Sequence, residues 1–232
     1  MRGNKLFIFF ALLVFVSGCA GSQQAQHVEK SGFIPGYVKL RPGGDGEALL
    51  RYINPAVNWR DYKKIIIDPV TIWREQGAQT EKVSPEDLQQ LADYFWLQIR
   101  EELRNDYEIV YKPGLGVMKL SVAITEAEAS NPALDTISSV VPQLRLLTGA
   151  KGLASGGVPG FVGVASVEAK MTNSQTGTVL LAGADRRAGT KNPSGAGYKW
   201  NDVEQAYQYW AKALRWRLCK LRGDKNCVKP EE

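Results

Sequence analysis

Phe161-Val-Gly-Val-Ala-Ser-Val-Glu-Ala-Lys-Met-Thr172, then Asn173-Ser-Gln-Thr-Gly177, then Thr178-Val-Leu-Leu-Ala-Gly-Ala-Asp-Arg-Arg187, is the stretch whose reading decides the fold. Ala165, Val167, Ala169 and Met171 alternate with Ser166, Glu168 and Lys170, a period of two that sends one set of side chains to each face of a strand. Residues 173–177 are turn formers, so residues 178–187 return as the partner strand of a hairpin. Upstream, Met118, Leu120, Val122 and Ile124 alternate with Lys119, Ser121, Ala123 and Thr125, which predicts a long strand over residues 117–127. A shorter strand over residues 108–111 precedes the Pro113-Gly114 turn.

Working outward, residues 63–73 hold Ile65, Ile66, Ile67, Val70 and Ile72, the β-branched content of a buried strand. Ser84-Pro85-Glu86-Asp87 starts a helix: serine caps the free amides, proline stands where its missing N–H costs nothing, and the acids meet the positive end of the dipole. Leu88, Leu91, Ala92, Phe95, Ile99 and Leu103 then recur at steps of three and four, an amphipathic helix over residues 85–104 about 30 Å long. Asn201 to Glu204 matches a capping box, and Val203, Ala206, Tyr207, Trp210, Leu214, Leu218 and Leu221 mark a second long helix that ends at Gly223. Residues 33–59 are punctuated by Pro35, Gly36, Pro42, Gly43, Gly44 and Pro55, which predicts an irregular arm packing its aromatics onto the domain. The expected fold is α+β, a two-layer sandwich with two long helices on one face of a mostly antiparallel sheet of about five strands.

The 232 residues are 44% hydrophobic, enough for one domain with a real core. The N-terminus carries Arg2 and Lys5 ahead of an apolar run over residues 6–16, the order of a bacterial export signal. That run is too short to cross a bilayer, which needs about 20 apolar residues. Val16-Ser17-Gly18 before Cys19 resembles the lipobox of bacterial lipoproteins, which implies cleavage between Gly18 and Cys19 and lipidation of Cys19. Residues 1–18 are thus read as signal peptide, residues 19–32 as a polar lipidated tether and residues 33–232 as the domain. Ala20, in place of aspartate, follows the cysteine; lipoproteins with that pattern are sorted onward, which implies an anchor in the periplasmic leaflet of the outer membrane.

The formal charge of +5 falls to about +3 once Arg2 and Lys5 leave with the signal, and no block of five or more like charges occurs, so nucleic acid is not an expected partner. Cys219 and Cys227 remain as an even pair. Bonded in an oxidising periplasm they close a small loop worth about 2.5 kcal/mol; the other reading is two free thiols, since sequence does not show how near the Cα atoms come.

Several further signatures occur in order: Phe33 with Tyr37-x-x-Leu40, Tyr52 to Pro55, Asp68-Pro69-Val70-x-x-Trp73, Asn131-Pro132, Val167-Glu168-Ala169, Thr176-Gly177, Asp185-Arg186-Arg187, and Trp200-x-Asp202-Val203 with Trp210-Ala211. By these the chain resembles the bacterial lipoprotein family catalogued as domain of unknown function 3313, over nearly all of its mature length. Gly36 departs from the acidic residue of that pattern. The resemblance implies an envelope lipoprotein and supplies no activity.

Catalytic chemistry finds little footing. A serine or cysteine nucleophile needs a base, and the one histidine, His27, lies in the polar tether. Ser155 lacks the context of a nucleophile elbow, and Gly114-Leu-Gly116 and Gly149-Ala-Lys-Gly152 miss the phosphate-cradling patterns. Glu126 and Glu128, with Glu168 nearby, are read first as a polar sheet face and second as an acid/base or hard-cation pair. Asp68 is read first as an ion-pair partner of Arg186 or Arg187 closing the sheet edge and second as part of a binding site. Neither a metal site nor a cofactor is expected. The long insertion over residues 130–160, apolar and rich in glycine, is read as a lid or as an interaction surface built on Val140, Val141, Leu144, Leu146, Leu147 and Leu153. The expected function is a non-enzymatic accessory domain that binds an envelope protein or a second copy of itself, held to the membrane by acyl chains on Cys19. The alternative is a carrier or sensor of an amphiphilic small molecule or lipid.

Overall fold

The computed structural model describes residues 21–36, 38–73, 83–131, 162–190 and 198–231. In chain order the strands are β1 (Ser22–Gln24), β2 (Arg41–Pro42), β3 (Leu50–Ile53), β4 (Lys64–Ile67), β5 (Thr71–Ile72), β6 (Glu108–Ile109), β7 (Val117–Glu128), β8 (Val164–Asn173) and β9 (Val179–Gly189). Helix α1 (Pro85–Leu103) stands between β5 and β6, and α2 (Asn201–Arg222) follows β9. Among the described residues all nine strands join one sheet in the order β2-β3-β9-β8-β7-β4-β6, with β1 alongside β9 and β5 alongside β7. Pairing is antiparallel except where β4 and β5 meet β7 and where β6 meets β4.

The α+β class therefore holds, and the strand count is corrected from about five to nine. Pro69 has no N–H for the ladder and breaks the 63–73 segment into β4 and β5. The other three additions come from residues read as tether and arm. Backbone pairing needs no apolar side chains, so the polar Ser22-Gln23-Gln24 can still add a strand to β9, register Ser22 opposite Gly189. The tether expectation is corrected here: Ala25 and Val28 are buried, and residues 21–32 belong to the folded unit. Likewise the arm supplies β2 and β3, while its Trp59 is buried in the main core.

Both helices pack on one face of the sheet and run in the same direction. Leu88, Leu91, Phe95 and Ile99 of α1 and Val203, Tyr207 and Trp210 of α2 meet Leu120, Val122 and Ile124 of β7 and Met171 of β8. Phe95 stacks on Tyr207 with ring centroids 4.5 Å apart. Ser84 accepts from Asp87 N at 3.1 Å, as a cap should. The start of α2 differs from the capping-box reading: Asn201 is its first helical residue, and Trp200 stands at the cap with no side-chain capping bond. Asp202 instead accepts from Gly163 N at 2.7 Å, and Glu204 accepts from the Tyr198 hydroxyl at 3.0 Å. At the far end Gly223 takes φ +74° and closes the helix.

Candidate functional site

The face of the sheet away from the helices mixes polar side chains with two small apolar clusters, Ile34, Val38 and Ala182 in one and Ala25, Val164 and Ala188 in the other, and is mostly covered. Alternation along β8 sends Ser166, Glu168 and Lys170 to it, while Ala165, Val167 and Met171 join the core. Glu168, 1% exposed, accepts the backbone N–H groups of Ser31 and, at 2.9 Å, Ile34. Lys170 donates to the Phe33 carbonyl at 3.0 Å and its ammonium lies 4.3 Å from the Phe33 ring centroid. Trp73 donates Nε1–H to the Ser31 carbonyl at 2.9 Å and meets Phe33 edge-on. Residues 31–34 are thus strapped across the sheet.

Beside the strap, Arg186 grips Glu126 with two bonds of 2.7 and 2.9 Å, and Ser166 donates to the same carboxylate. The Glu126 bond is the first cause that holds the Arg186 guanidinium above its ordinary value. Glu126 is therefore committed as the acceptor of a bidentate clamp, not poised beside Glu128 as an acid/base partner. The expected Asp68–arginine pair is also corrected. In the sheet β9 and β4 are separated by β8 and β7, roughly three interstrand steps of 4.8 Å, so Asp68 pairs with Lys119 at 3.2 Å and accepts from Ser121 at 2.7 Å. Arg187 points to the helix face, stacks 3.6 Å from the Tyr209 ring centroid and donates to Ser22 Oγ at 2.9 Å.

On that helix face, Asp185 is 4% exposed and accepts from Trp210 Nε1 at 2.7 Å, Leu49 N at 3.0 Å and Gln24 Nε2 at 2.6 Å. Burial pushes its carboxyl up, and the Trp210, Leu49 and Gln24 bonds pull the other way. Next to it lies a cavity of about 110 Å³ lined by Phe95, Ile99, Val122, Val167, Trp210 and Arg217 among others. A dry cavity of about 150 Å³ holds a benzene-sized group, and ligand pockets run to roughly 300–1,000 Å³, so this one takes a small apolar group at most.

The third feature is the outer edge of the sheet. Val110 N bonds Ile65 O at 2.9 Å, which fixes β6 onto β4, and among the described residues no strand pairs with its other side. The loop that follows is held firmly: Gly114 N donates to Ser174 Oγ at 3.2 Å and Lys63 N to Gly116 O at 3.2 Å. It nevertheless presents Tyr111 at 78% and Leu115 at 92% exposure, around Pro113. An aromatic and a leucine on a fixed loop are what an interface anchor requires. The sequence pattern assigns Tyr111 to the end of a strand and Leu115 to the Gly114-Leu-Gly116 stretch, and singles out neither; the available signal is their placing on either side of Pro113-Gly114, where a solvated turn has no use for them.

Of the residues singled out from sequence, Cys219 and Cys227 are joined by a disulfide, Cα atoms 5.6 Å apart, which clips the C-terminal tail to the end of α2. Gly18 and Cys19, together with Val140, Val141, Leu144, Leu146, Leu147 and Leu153, lie outside the described residues. Among the described residues no group of three or more His, Cys, Asp or Glu is arranged to hold a metal ion, and no helix is long and apolar enough to cross a membrane.

The family model described as protein of unknown function (DUF3313) matches residues 29–214. The uncharacterized lipoprotein YdcL of Escherichia coli K12, and its counterpart in the O157:H7 strain, are 26% identical over 139 residues, 59% of this chain and 61% of theirs. The match thus spans less than two thirds of those relatives' length. Among solved structures, the PelC L103M dodecamer from Paraburkholderia phytofirmans is similar over 76% of this chain and 96% of that one, at 12% identity and a TM-score of 0.39.

Proposed function

For a chain that belongs to the family of proteins of unknown function DUF3313, we propose a lipoprotein anchored by acyl chains on Cys19 in the periplasmic leaflet of the outer membrane, whose α+β domain is a non-enzymatic binding module for an envelope protein or for a second copy of itself. The anchored half of this reading is supported by the lipobox-like stretch that ends at Cys19 and by the lipoprotein naming of the Escherichia coli relative. Ala20 after the cysteine supports the outer membrane.

One observation carries the binding half: Tyr111 and Leu115 stand exposed on a loop pinned at Gly114 and Gly116, beside the outer edge of β6. Such anchors lose little freedom on binding. The charged groups best placed for chemistry are engaged instead in holding the fold, Glu168 by the strap, Glu126 by Arg186 and Asp185 by Trp210. A photoreactive residue at Leu115 in intact cells is expected to capture one envelope protein, or the protein itself, and Tyr111→Asp is expected to abolish that capture while Tm holds. Capture that survives Tyr111→Asp refutes the loop as the binding surface. The same residue placed at Leu146 tests the insertion expected from sequence.

The carrier reading draws on the cavity beside Asp185, whose 110 Å³ is short of an acyl chain. Native mass spectrometry of delipidated protein separates the two: lipid-sized adducts favour the carrier, clean discrete oligomers the binding module.

A further inference from the structure

The folding of residues 21–32 onto the domain removes the leash that the sequence predicts, and this fixes which part of the molecule meets the membrane. Gly21 is held by its carbonyl, which accepts from Thr190 N at 3.3 Å and Thr190 Oγ1 at 2.9 Å. Ser22, 4% exposed, is opposite Gly189 in β9 and bonded to Arg187. Because β1 runs antiparallel to β9 with Gln24 opposite Arg187, the chain traced back from Ser22 heads out past the end of β9. Only Ala20 separates Gly21 from Cys19, a reach of about 7 Å at full extension.

Resting on the reading of Cys19 as acylated, we infer that the domain sits end-on against the bilayer, with the headgroups of its own leaflet as the occupant of the surface around Gly21. Among the described residues that surface runs across both layers. Gly189 N bonds Gly163 O at 2.9 Å, Gly163 N bonds Asp202 at 2.7 Å, Ser130 N bonds Lys199 O at 2.9 Å, and the Lys199 ammonium reaches Asp87 at 2.8 Å. The end of β9, the start of β8, the residues after β7 and the N-terminal turns of α1 and α2 thus share one end of the molecule. Tyr198, 48% exposed, and Lys199 project there, an amphipathic ring and an ammonium on a flexible stem, the side chains that settle at headgroup level.

The opposite end is defined just as well. The hairpin turn after β8 and the Leu115 loop are tied together by Ser174 and Gly114. The ten residues of β8 set that end roughly 30 Å from the first. The binding loop is then held out in the periplasm, clear of the lipid.

The test uses the full chain, acylated by its host and reconstituted in vesicles of phosphatidylethanolamine and phosphatidylglycerol at 3:1. Photoreactive p-benzoylphenylalanine is placed at Tyr198 or at Leu115, lipid adducts are counted by mass spectrometry, and intact mass reads acylation in the same samples. Lipid adducts at Tyr198 are expected to exceed those at Leu115 by about ten-fold or more, from two positions separated by the length of the strands. Twelve glycine and serine residues inserted after Ala20, with an r.m.s. span of about 19 Å, are expected to lower the Tyr198 yield about five-fold with acylation unchanged. Equal yields at the two positions in acylated protein overturn the orientation and leave the anchor standing. An unchanged Tyr198 yield with the longer leash overturns the short reach as its cause. Absence of acyl mass on Cys19 overturns both the anchor and the orientation.

Discussion

Glu168→Ala is the perturbation that reaches furthest into this structure, because one buried carboxylate fastens the N-terminal strap to the sheet. Its two oxygens take the amides of Ser31 and Ile34, a pair of charge-assisted bonds at a residue 1% exposed. Truncation leaves both amides without an acceptor, each at about 1–3 kcal/mol. Ser31 is only partly buried and can turn to water, so the expected total is about 3 kcal/mol, near the sum of one full and one partial loss. For a domain of this size that lowers Tm by about 6–12 °C. Glu168→Gln keeps one acceptor oxygen and loses the charge, for an expected loss of about half as much. Urea unfolding followed by fluorescence measures the stability, with Trp73 reporting on the strap through its own bond to Ser31. Hydrogen exchange at residues 31–34 reads the attachment directly. A Glu168→Ala protein within about 0.5 kcal/mol of the parent, the scatter of ordinary surface substitutions, with the Ser31 and Ile34 amides still protected, refutes the strap as a fastening.

Burial raises the Asp185 carboxyl above its ordinary value in the folded chain. The folded state then holds a proton that the unfolded state has released, so stability falls as pH rises through that window, by up to about 1.4 kcal/mol per pH unit; in urea titrations from pH 3 to 7, Asp185→Asn is expected to flatten that fall, and an unchanged slope counts against it. Replacing Cys219 and Cys227 by serine is expected to lower the unfolding free energy measured in urea by about 2.5 kcal/mol, with reductant producing the same loss in the parent and none in the variant. Phe95→Ala opens the stack on Tyr207 and enlarges the adjoining cavity; the expected loss is about 3–5 kcal/mol, measured by calorimetry, and a loss below about 1 kcal/mol means the helices close over the gap.

What the sequence made legible and what it hid divide along the physics of side chains and backbone. The hairpin, β7, both helices and the Gly223 terminus were readable because each carries its own periodicity or a residue whose conformation is restricted. Strands β1, β2 and β3 have two to four residues each and no alternation to detect; β1 and β3 exist because the edge of β9 offers backbone partners, and β2 because β3 then does, a tertiary cause that no local pattern records. The same holds for the charges. Glu126 and Arg186 lie sixty positions apart and meet only because β7 and β9 flank β8, while the Asp68 pairing failed because two strands intervene. At the candidate binding loop, Tyr111 and Leu115 were in view throughout, and only the exposure fixed by the bonds at Gly114 and Gly116 separates them from core residues.

The two edges of the sheet restrict how a partner can be held. An exposed edge strand normally invites strand addition, yet β2 ends in Pro42 and β6 has two residues before the chain turns at Pro113. Neither offers a run of free N–H and C=O groups long enough to template another strand. Recognition at this edge therefore falls to side chains, which makes Leu115 and Tyr111 anchors and the backbone of β6 a bystander. The consequence is measurable: Leu115→Ala is expected to weaken partner capture by about ten-fold or more, corresponding to an anchor worth over 1 kcal/mol. Ile109→Pro, which removes an N–H from β6, is expected to leave capture within about two-fold if the protein remains folded by circular dichroism, since no ladder hydrogen bond to the partner is lost. The reverse ranking, with proline abolishing capture and Leu115→Ala harmless, makes the edge a strand-addition site after all and returns the two exposed side chains to the ordinary surface.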